Sequence, residues 1–123
     1  LNPTHEYGVA FERGTRLRTP HADRFFISGT ASIDKHGNVL HEGDVEQQVY
    51  RLLDNIKALL ADGEATMADI AYFIIYLRDV SDYTLVSSLM QHLHPSTPRI
   101  IVHAKVCRPA WLVEMECVAV KQR

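Results

Sequence analysis

The sequence predicts an α+β fold, in which two helices lie on one face of a mixed sheet of five or six strands. Three observations predict this class. Runs of apolar and β-branched residues are separated by turn-forming residues. The clearest helical periodicity runs from about Val45 to Ala61. A shorter helical pattern, from Tyr83 to Leu93, separates two further strand-like runs. The elements therefore follow in the order strands, helix, strand, helix, strands.

The first part of the chain is predicted to be extended. Two short strands broken at Gly14 are expected between residues 8 and 18. The apolar run from Arg24 to Ser28 is typical of a buried strand, and extended backbone is expected to continue over Ala31–Ile33.

The longer helix has start and stop signals. Asp44 precedes it and can accept a hydrogen bond from an unpaired N–H of the first turn. Gly63 follows it and can end the helix in a left-handed conformation. Apolar side chains at steps of three or four form one stripe that should face the core. These are Val45, Val49, Leu52, Leu53, Ile56, Leu59 and Leu60.

The second half of the chain supplies three strands. Residues 70–78 are dense in β-branched and aromatic side chains, which is typical of a central strand, and 99–106 and 111–120 are the last two. If these two form a hairpin centred on residues 108 and 109, His103 lies opposite Glu114. Because both helices are expected on one face of the sheet, the other face is left uncovered. We therefore expect self-association.

Composition limits the classes of function. The 123 residues are predicted to form one domain, 1–123, and a formal charge of −2 gives no basic field for a nucleic-acid or membrane partner. No apolar run approaches the roughly 20 residues of a membrane span. Two cysteines without a CxxC pair suit a reducing compartment, so a cytoplasmic location is expected. Metal-ligand spacings and nucleotide-binding glycine motifs are absent, so we expect neither metal nor cofactor.

Charged side chains in the last two strands are candidates for chemistry. Glu114 and Glu116 alternate onto an otherwise apolar face. Either that face is exposed and the carboxylates are solvated, or one of them faces a cleft and acts on a proton or a water molecule. Arg99 follows Pro98 at the start of its strand. Its guanidinium either grips a carboxylate through two parallel hydrogen bonds or forms a surface or inter-subunit salt bridge.

Several motifs together resemble the Rid (YjgF) family of reactive-intermediate deaminases. They span about residues 7–121, and the most specific is the spacing of 15 residues between Arg99 and Glu114. The segments that carry the resemblance are Phe26-Ile27-Ser28-Gly29, the helix from Val45, Tyr76-Leu77-Arg78-Asp79-Val80-Ser81-Asp82-Tyr83, Thr97-Pro98-Arg99 and Glu114-Met115-Glu116-Cys117-Val118-Ala119-Val120.

The resemblance implies a chorismate-mutase-like fold, usually assembled as a homotrimer with ligand clefts between subunits. It implies hydrolysis of enamines and imines to a keto acid and ammonia without a cofactor. Arg99 would bind the carboxylate of a small substrate, and Glu114 would position or activate water. Tyr7 would help to line the site, and Ser28 and Gly29 would contribute backbone to the cleft.

A more particular likeness is to the carboxy-terminal half of chorismatases, which are larger proteins built around Rid-like domains. It rests on residues 6–14 and 107–114, with Cys107 seven residues before Glu114, and this likeness makes Cys107 a further candidate substrate-binding residue. It implies hydrolysis of the enol ether of chorismate, with Glu114 as acid and base. The Leu1 start would then be a domain boundary. A ligand-binding oligomer without catalysis remains a third interpretation, and RNA cleavage ranks last.

Overall fold

The computed structural model describes residues 14–30, 34, 36, 38–105 and 110–122, and it confirms the α+β class. The strands are β1 Gly14–Arg18, β2 Ala22–Thr30, β3 Ile70–Leu77, β4 Arg99–His103 and β5 Val113–Gln122. The helices are α1 Val45–Asp62 and α2 Tyr83–Leu93, with 3-10 turns at Met67–Asp69 and Val80–Asp82. The extended segments predicted at 8–13 and 31–33 lie outside the described residues.

The described strands form one mixed sheet in the order β1-β2-β5-β3-β4. All neighbours are antiparallel except β3 and β4, which are parallel. The predicted hairpin of the last two strands is therefore wrong, because β3 lies between them. His103 pairs with Leu77, and Glu114 pairs with Tyr76. The physical reason is α2, which returns the chain to the start of β3 so that β4 adds in parallel at its outer edge.

One hydrophobic core lies between the sheet and the two helices. The α1 stripe supplies much of it, and Val49, Leu52 and Ile56 are fully buried. Asp44 caps α1 as predicted, accepting from the backbone N–H of Gln47 at 3.1 Å. Because side chains alternate along each strand, every second residue of β2, β3 and β5 enters this core.

Among the residues that the structure describes, no helix lies on the opposite face of the sheet. We call it the uncovered face, and its apolar members include Phe26, Tyr72, Ile74, Ile100 and Val118. Phe26 and Tyr72 are 40% exposed and Ile100 is 60% exposed. An apolar surface of this kind is typical of a face that another molecule covers.

Gly63 ends α1 in a way that the sequence did not predict. Its φ is −97°, so the left-handed conformation expected there is wrong. The glycine is needed for space instead. A Cβ at this position would overlap Cε1 of the Phe25 ring and lie 2.8 Å from its Cζ.

Candidate functional site

Arg99 opens β4 on the helix side of the sheet. It pairs with Phe73, whose side chain is buried in the core, so the two side chains share that face. Its guanidinium donates to the carbonyl oxygens of His94 at 3.3 Å and Thr97 at 3.2 Å, and to Oε1 of Gln91 at 2.5 Å. These acceptors lie at or just after the C-terminal end of α2, where carbonyl groups are unpaired and a cation is favoured. Arg99 is thus held by the end of α2.

An open groove of about 420 Å³ lies beside this guanidinium, and we call it the Arg99 groove. Its polar lining is mostly hydroxyl, and it includes Tyr83, Ser87, Ser96 and Thr97. No carboxylate of the described residues forms an ion pair with Arg99. The groove therefore presents a positive charge surrounded by neutral hydrogen-bonding groups.

His94 lies next to Arg99 and packs its ring 5.5 Å from that of Phe73. Burial lowers the pKa of His94, and the charge of Arg99 lowers it further. The imidazole is therefore neutral near pH 7, and Arg99 remains the cation of this groove.

Glu114 lies on the uncovered face, near the start of β5. It is 7% exposed, so its carboxylate is not a solvated surface group. Tyr76 is its cross-strand partner, and the Tyr76 hydroxyl donates to Glu116 Oε1. This hydrogen bond, helped by burial and by the charges of both glutamates, raises the pKa of Tyr76 to about 12. The phenol therefore keeps its proton and holds Glu116.

Ser28 shares the uncovered face with both glutamates. It lines a hollow of about 170 Å³ together with Phe26, Tyr72, Ile74, Glu116 and Val118. Gly29, the next residue of β2, is not among the residues that line this hollow. Of the other site residues predicted from the sequence, Tyr7 and Cys107 lie outside the described residues.

Within one chain, Arg99 and Glu114 lie on opposite faces of the sheet. Arg99 is in register with Phe73, and Glu114 with Tyr76, three residues further along β3. Residues three apart in a strand point to opposite faces. A single chain therefore brings Ser28, Glu114 and Glu116 to one side and leaves Arg99 on the other.

Gln48 and Arg78 are two polar residues, not predicted from the sequence as functional, that bind the segment leading into β5. Gln48 is fully buried and binds the segment that leads into β5. Its position was a signal, because residue 48 falls within the apolar stripe between Val45 and Leu52. Arg78 donates from Nε to the Trp111 carbonyl at 3.0 Å. The sequence carried no signal for this contact, because it depends on how β3 and β5 pair.

No group of three or more metal-binding side chains comes together among the residues that the structure describes. Over the same residues, neither helix combines the length and the apolar character that crossing a bilayer requires.

Comparison with known proteins decides the family. The protein-family model described as Endoribonuclease L-PSP matches residues 14–121 of this chain. The chain belongs to this family, which is the YjgF/Rid family. A similar relative is the 3-aminoacrylate deaminase RutC of Acinetobacter baylyi, 28% identical over 96 residues, which cover 76% of each chain.

Solved structures agree with this assignment. A chorismatase crystal structure superposes with a TM-score of 0.79 and 29% identity over 89% of this chain. The chain spans only 36% of that chorismatase. The YjgF protein of E. coli superposes with a TM-score of 0.73 at 22% identity, covering 90% of this chain and 87% of its own. The YjgF fold expected from the sequence is thereby confirmed.

Proposed function

We propose that this Rid-family protein hydrolyses small enamines or imines that carry a carboxylate, and releases ammonia. The observation that carries the proposal is Arg99, a guanidinium without a described ion-pair partner beside a groove of hydroxyl groups. The RutC relative adds support, since its name describes deamination of 3-aminoacrylate, an enamine that bears a carboxylate.

Arg99 serves as the clamp for the substrate carboxylate. A guanidinium matches a carboxylate with two parallel hydrogen bonds, which fixes the orientation as well as the charge. Its present acceptors are two carbonyl oxygens and one amide oxygen, all neutral. A carboxylate is a stronger acceptor than any of them, so it can displace at least one.

Glu114 serves as the base and then as the acid. Its carboxylate takes a proton from water while the water oxygen adds to the imine carbon, and the imine nitrogen takes up a proton from solvent. The carboxyl group then gives its proton to the nitrogen of the carbinolamine. The carbon–nitrogen bond breaks, ammonia leaves, and the hydroxyl loses its proton to solvent as it becomes the carbonyl of the keto acid. Positioned proton transfer of this kind contributes about 10²–10⁴-fold to rate.

The complete site requires two copies of the chain. Arg99 and Glu114 lie on opposite faces of one sheet, so we propose that Arg99 of one subunit faces Glu114 of its neighbour. The uncovered face offers an apolar surface for such an assembly. A homotrimer is the form that the Rid resemblance suggests, with the substrate bound between subunits.

An imine assay tests the proposal. An amino-acid oxidase supplies the imine, semicarbazide traps it, and hydrolysis by the protein reduces the semicarbazone formed. We expect activity in the wild type, a KM raised roughly 10- to 100-fold in Arg99→Ala, and a kcat lowered about 100-fold or more in Glu114→Gln. Lys57→Ala and Asp54→Asn remove matched charges from the exposed side of α1 and should keep full activity.

Two results would contradict the proposal. If the wild type lowers semicarbazone formation no more than buffer does, the protein is not a deaminase of these imines. If that protein still binds a small carboxylate in calorimetry, and Arg99→Ala does not, the chain is a ligand-binding oligomer without catalysis. Equal activity of wild type and Arg99→Ala would show that Arg99 does not bind the substrate carboxylate.

A second candidate function is hydrolysis of an enol ether such as that of chorismate. The observation that favours it is the 29% identity to a chorismatase over 89% of this chain. Water would add to the enol ether carbon and release pyruvate with a hydroxylated ring acid. Incubation with chorismate followed by chromatography checks this, and the absence of both products would remove the function for this chain.

A further inference from the structure

The guanidinium of Arg99 has two hydrogen-bond donors that find no acceptor among the described residues. It carries five N–H groups. The carbonyl oxygens of His94 and Thr97 accept from Nη1, and Oε1 of Gln91 accepts from Nη2. This leaves Nε–H and one N–H of Nη2. The two form one edge of the planar group, and a carboxylate can bind such an edge with two parallel hydrogen bonds.

That edge of Arg99 is accessible to a ligand. Nε of Arg99 is not among the side-chain atoms that are buried without a hydrogen-bond partner in the described part of the chain. Arg99 also lines the Arg99 groove. A carboxylate in the groove can therefore reach this edge without displacing the three acceptors.

Gln91 is the acceptor of the three that belongs to a side chain. The other two are carbonyl oxygens of the turn after α2, where the Thr97 N–H donates to the His94 carbonyl at 3.2 Å, so the backbone sets their positions. Gln91 lies in the last turn of α2 and is exposed. Its hydrogen bond of 2.5 Å holds Nη2, the nitrogen that also belongs to the unused edge.

An amide is not the strongest partner that this position could offer to an arginine. A carboxylate of the same length would accept more strongly from the guanidinium and would also cancel its charge. The described carboxylates form no ion pair with Arg99. Gln91 therefore holds the guanidinium in place and leaves its positive charge for another anion.

We propose that Gln91 is a positioning residue that orients Arg99 and, because it is neutral, keeps the arginine charge available to the substrate carboxylate. This inference rests on the proposed function. Gln91 touches no substrate and acts through the guanidinium. Because Arg99 binds the substrate, a change at Gln91 should alter KM and leave kcat nearly unchanged.

Gln91→Glu tests this, with Gln47→Glu as the matched control. Gln47 is exposed on α1 and does not line the groove, so the control makes the same change of charge elsewhere. In the imine assay, Gln91→Glu should raise KM about 10- to 100-fold with kcat changed less than about twofold, because the new carboxylate pairs with Arg99. Gln47→Glu should keep both constants. Equal KM in the two variants would overturn the proposal.

Gln91→Met separates orientation from charge. It keeps the length of the side chain, removes the acceptor and adds no charge. KM should rise by about 3- to 10-fold, which is less than in Gln91→Glu. The denaturant midpoint of Gln91→Glu should be no lower than that of the wild type, so that lost stability does not explain its KM. A KM in Gln91→Met equal to that of the wild type would contradict the orienting role.

Calorimetry with pyruvate, a small keto acid, gives a readout that does not need turnover. Wild type and Gln47→Glu should bind pyruvate equally, and Gln91→Glu should bind it at least about 10-fold more weakly. If the proteins bind in this way but the wild type hydrolyses no imine, the proposed function falls and the role of Gln91 stands. Equal affinity of wild type and Gln91→Glu would overturn the role of Gln91. A wild type that neither hydrolyses imines nor binds pyruvate would overturn both.

Discussion

Tyr76 distinguishes two carboxylates that the sequence presents as equivalent. Glu114 and Glu116 are two residues apart on one face of β5, yet the phenol of Tyr76 donates to Glu116. Glu116 is thereby engaged within the sheet. The sequence supplied both glutamates as candidates, and this side-chain contact across two strands separates them.

Removing that phenol should weaken the fold locally. Tyr76→Phe keeps the ring and loses the hydrogen bond to a charged acceptor, so the free energy of unfolding should fall by about 1 kcal/mol. Denaturant unfolding at pH 7 measures it. Tyr83→Phe is the control, because Tyr83 is 50% exposed and should change stability little. Equal stability of the two variants would show that the Tyr76 contact contributes nothing.

Cys117 predicts a pH dependence of stability. Burial, helped by the charge of Glu116, raises the pKa of this thiol from 9.0 to about 12. Above pH 9 the unfolded chain releases the thiol proton while the folded chain keeps it, so stability falls between pH 9 and about 12. In that window the free energy of unfolding of the wild type should fall by up to about 1.4 kcal/mol per pH unit more than that of Cys117→Ala. Parallel stability curves at pH 9, 10 and 11 would contradict the burial of a protonated thiol.

At the scale of elements, local signals proved sufficient for the helices. The stripe and the Asp44 cap predicted α1 from Val45 to Ala61, and the helix runs to Asp62. Strand pairing was not predictable in the same way, because the β-rich runs at 99–106 and 111–120 contain no signal for which neighbour each takes. The sequence therefore named Arg99 and Glu114 from their spacing, and the intervening β3 decided that they occupy opposite faces.

The junction of α1 and β2 offers a test of element packing. Gly63→Ala places a methyl group against the Phe25 ring, and overpacking of this kind costs about 1–3 kcal/mol. When Phe25 is already replaced by leucine, adding Gly63→Ala should destabilise the protein much less than it does in the wild type. A double-mutant cycle of denaturant midpoints measures this difference. Additive losses would mean that the ring is not the obstacle.

At the scale of the whole molecule, the uncovered face should drive assembly. Val118 lies at its centre, in register with Phe26 on one side and Tyr72 on the other. Val118→Glu places a charge there, which should dissociate the oligomer while circular dichroism stays unchanged. Sedimentation velocity measures the change. Val80→Glu, at a position 67% exposed on a 3-10 turn, is the control and should remain assembled. A monomeric wild type would contradict the assembly.

Mixing two impaired variants tests the shared site most directly, when imine hydrolysis is measured at a substrate concentration well below the wild-type KM, where both variants should be slow. Arg99→Ala and Glu114→Gln are unfolded together in equal amounts, refolded, and checked for mixed oligomers by native mass spectrometry. If Arg99 of one subunit works with Glu114 of its neighbour, about one quarter of the sites regain both residues, and imine hydrolysis returns to about a quarter of the wild-type rate. Mixed oligomers that hydrolyse the imine no faster than either parent variant would contradict a site built from two chains.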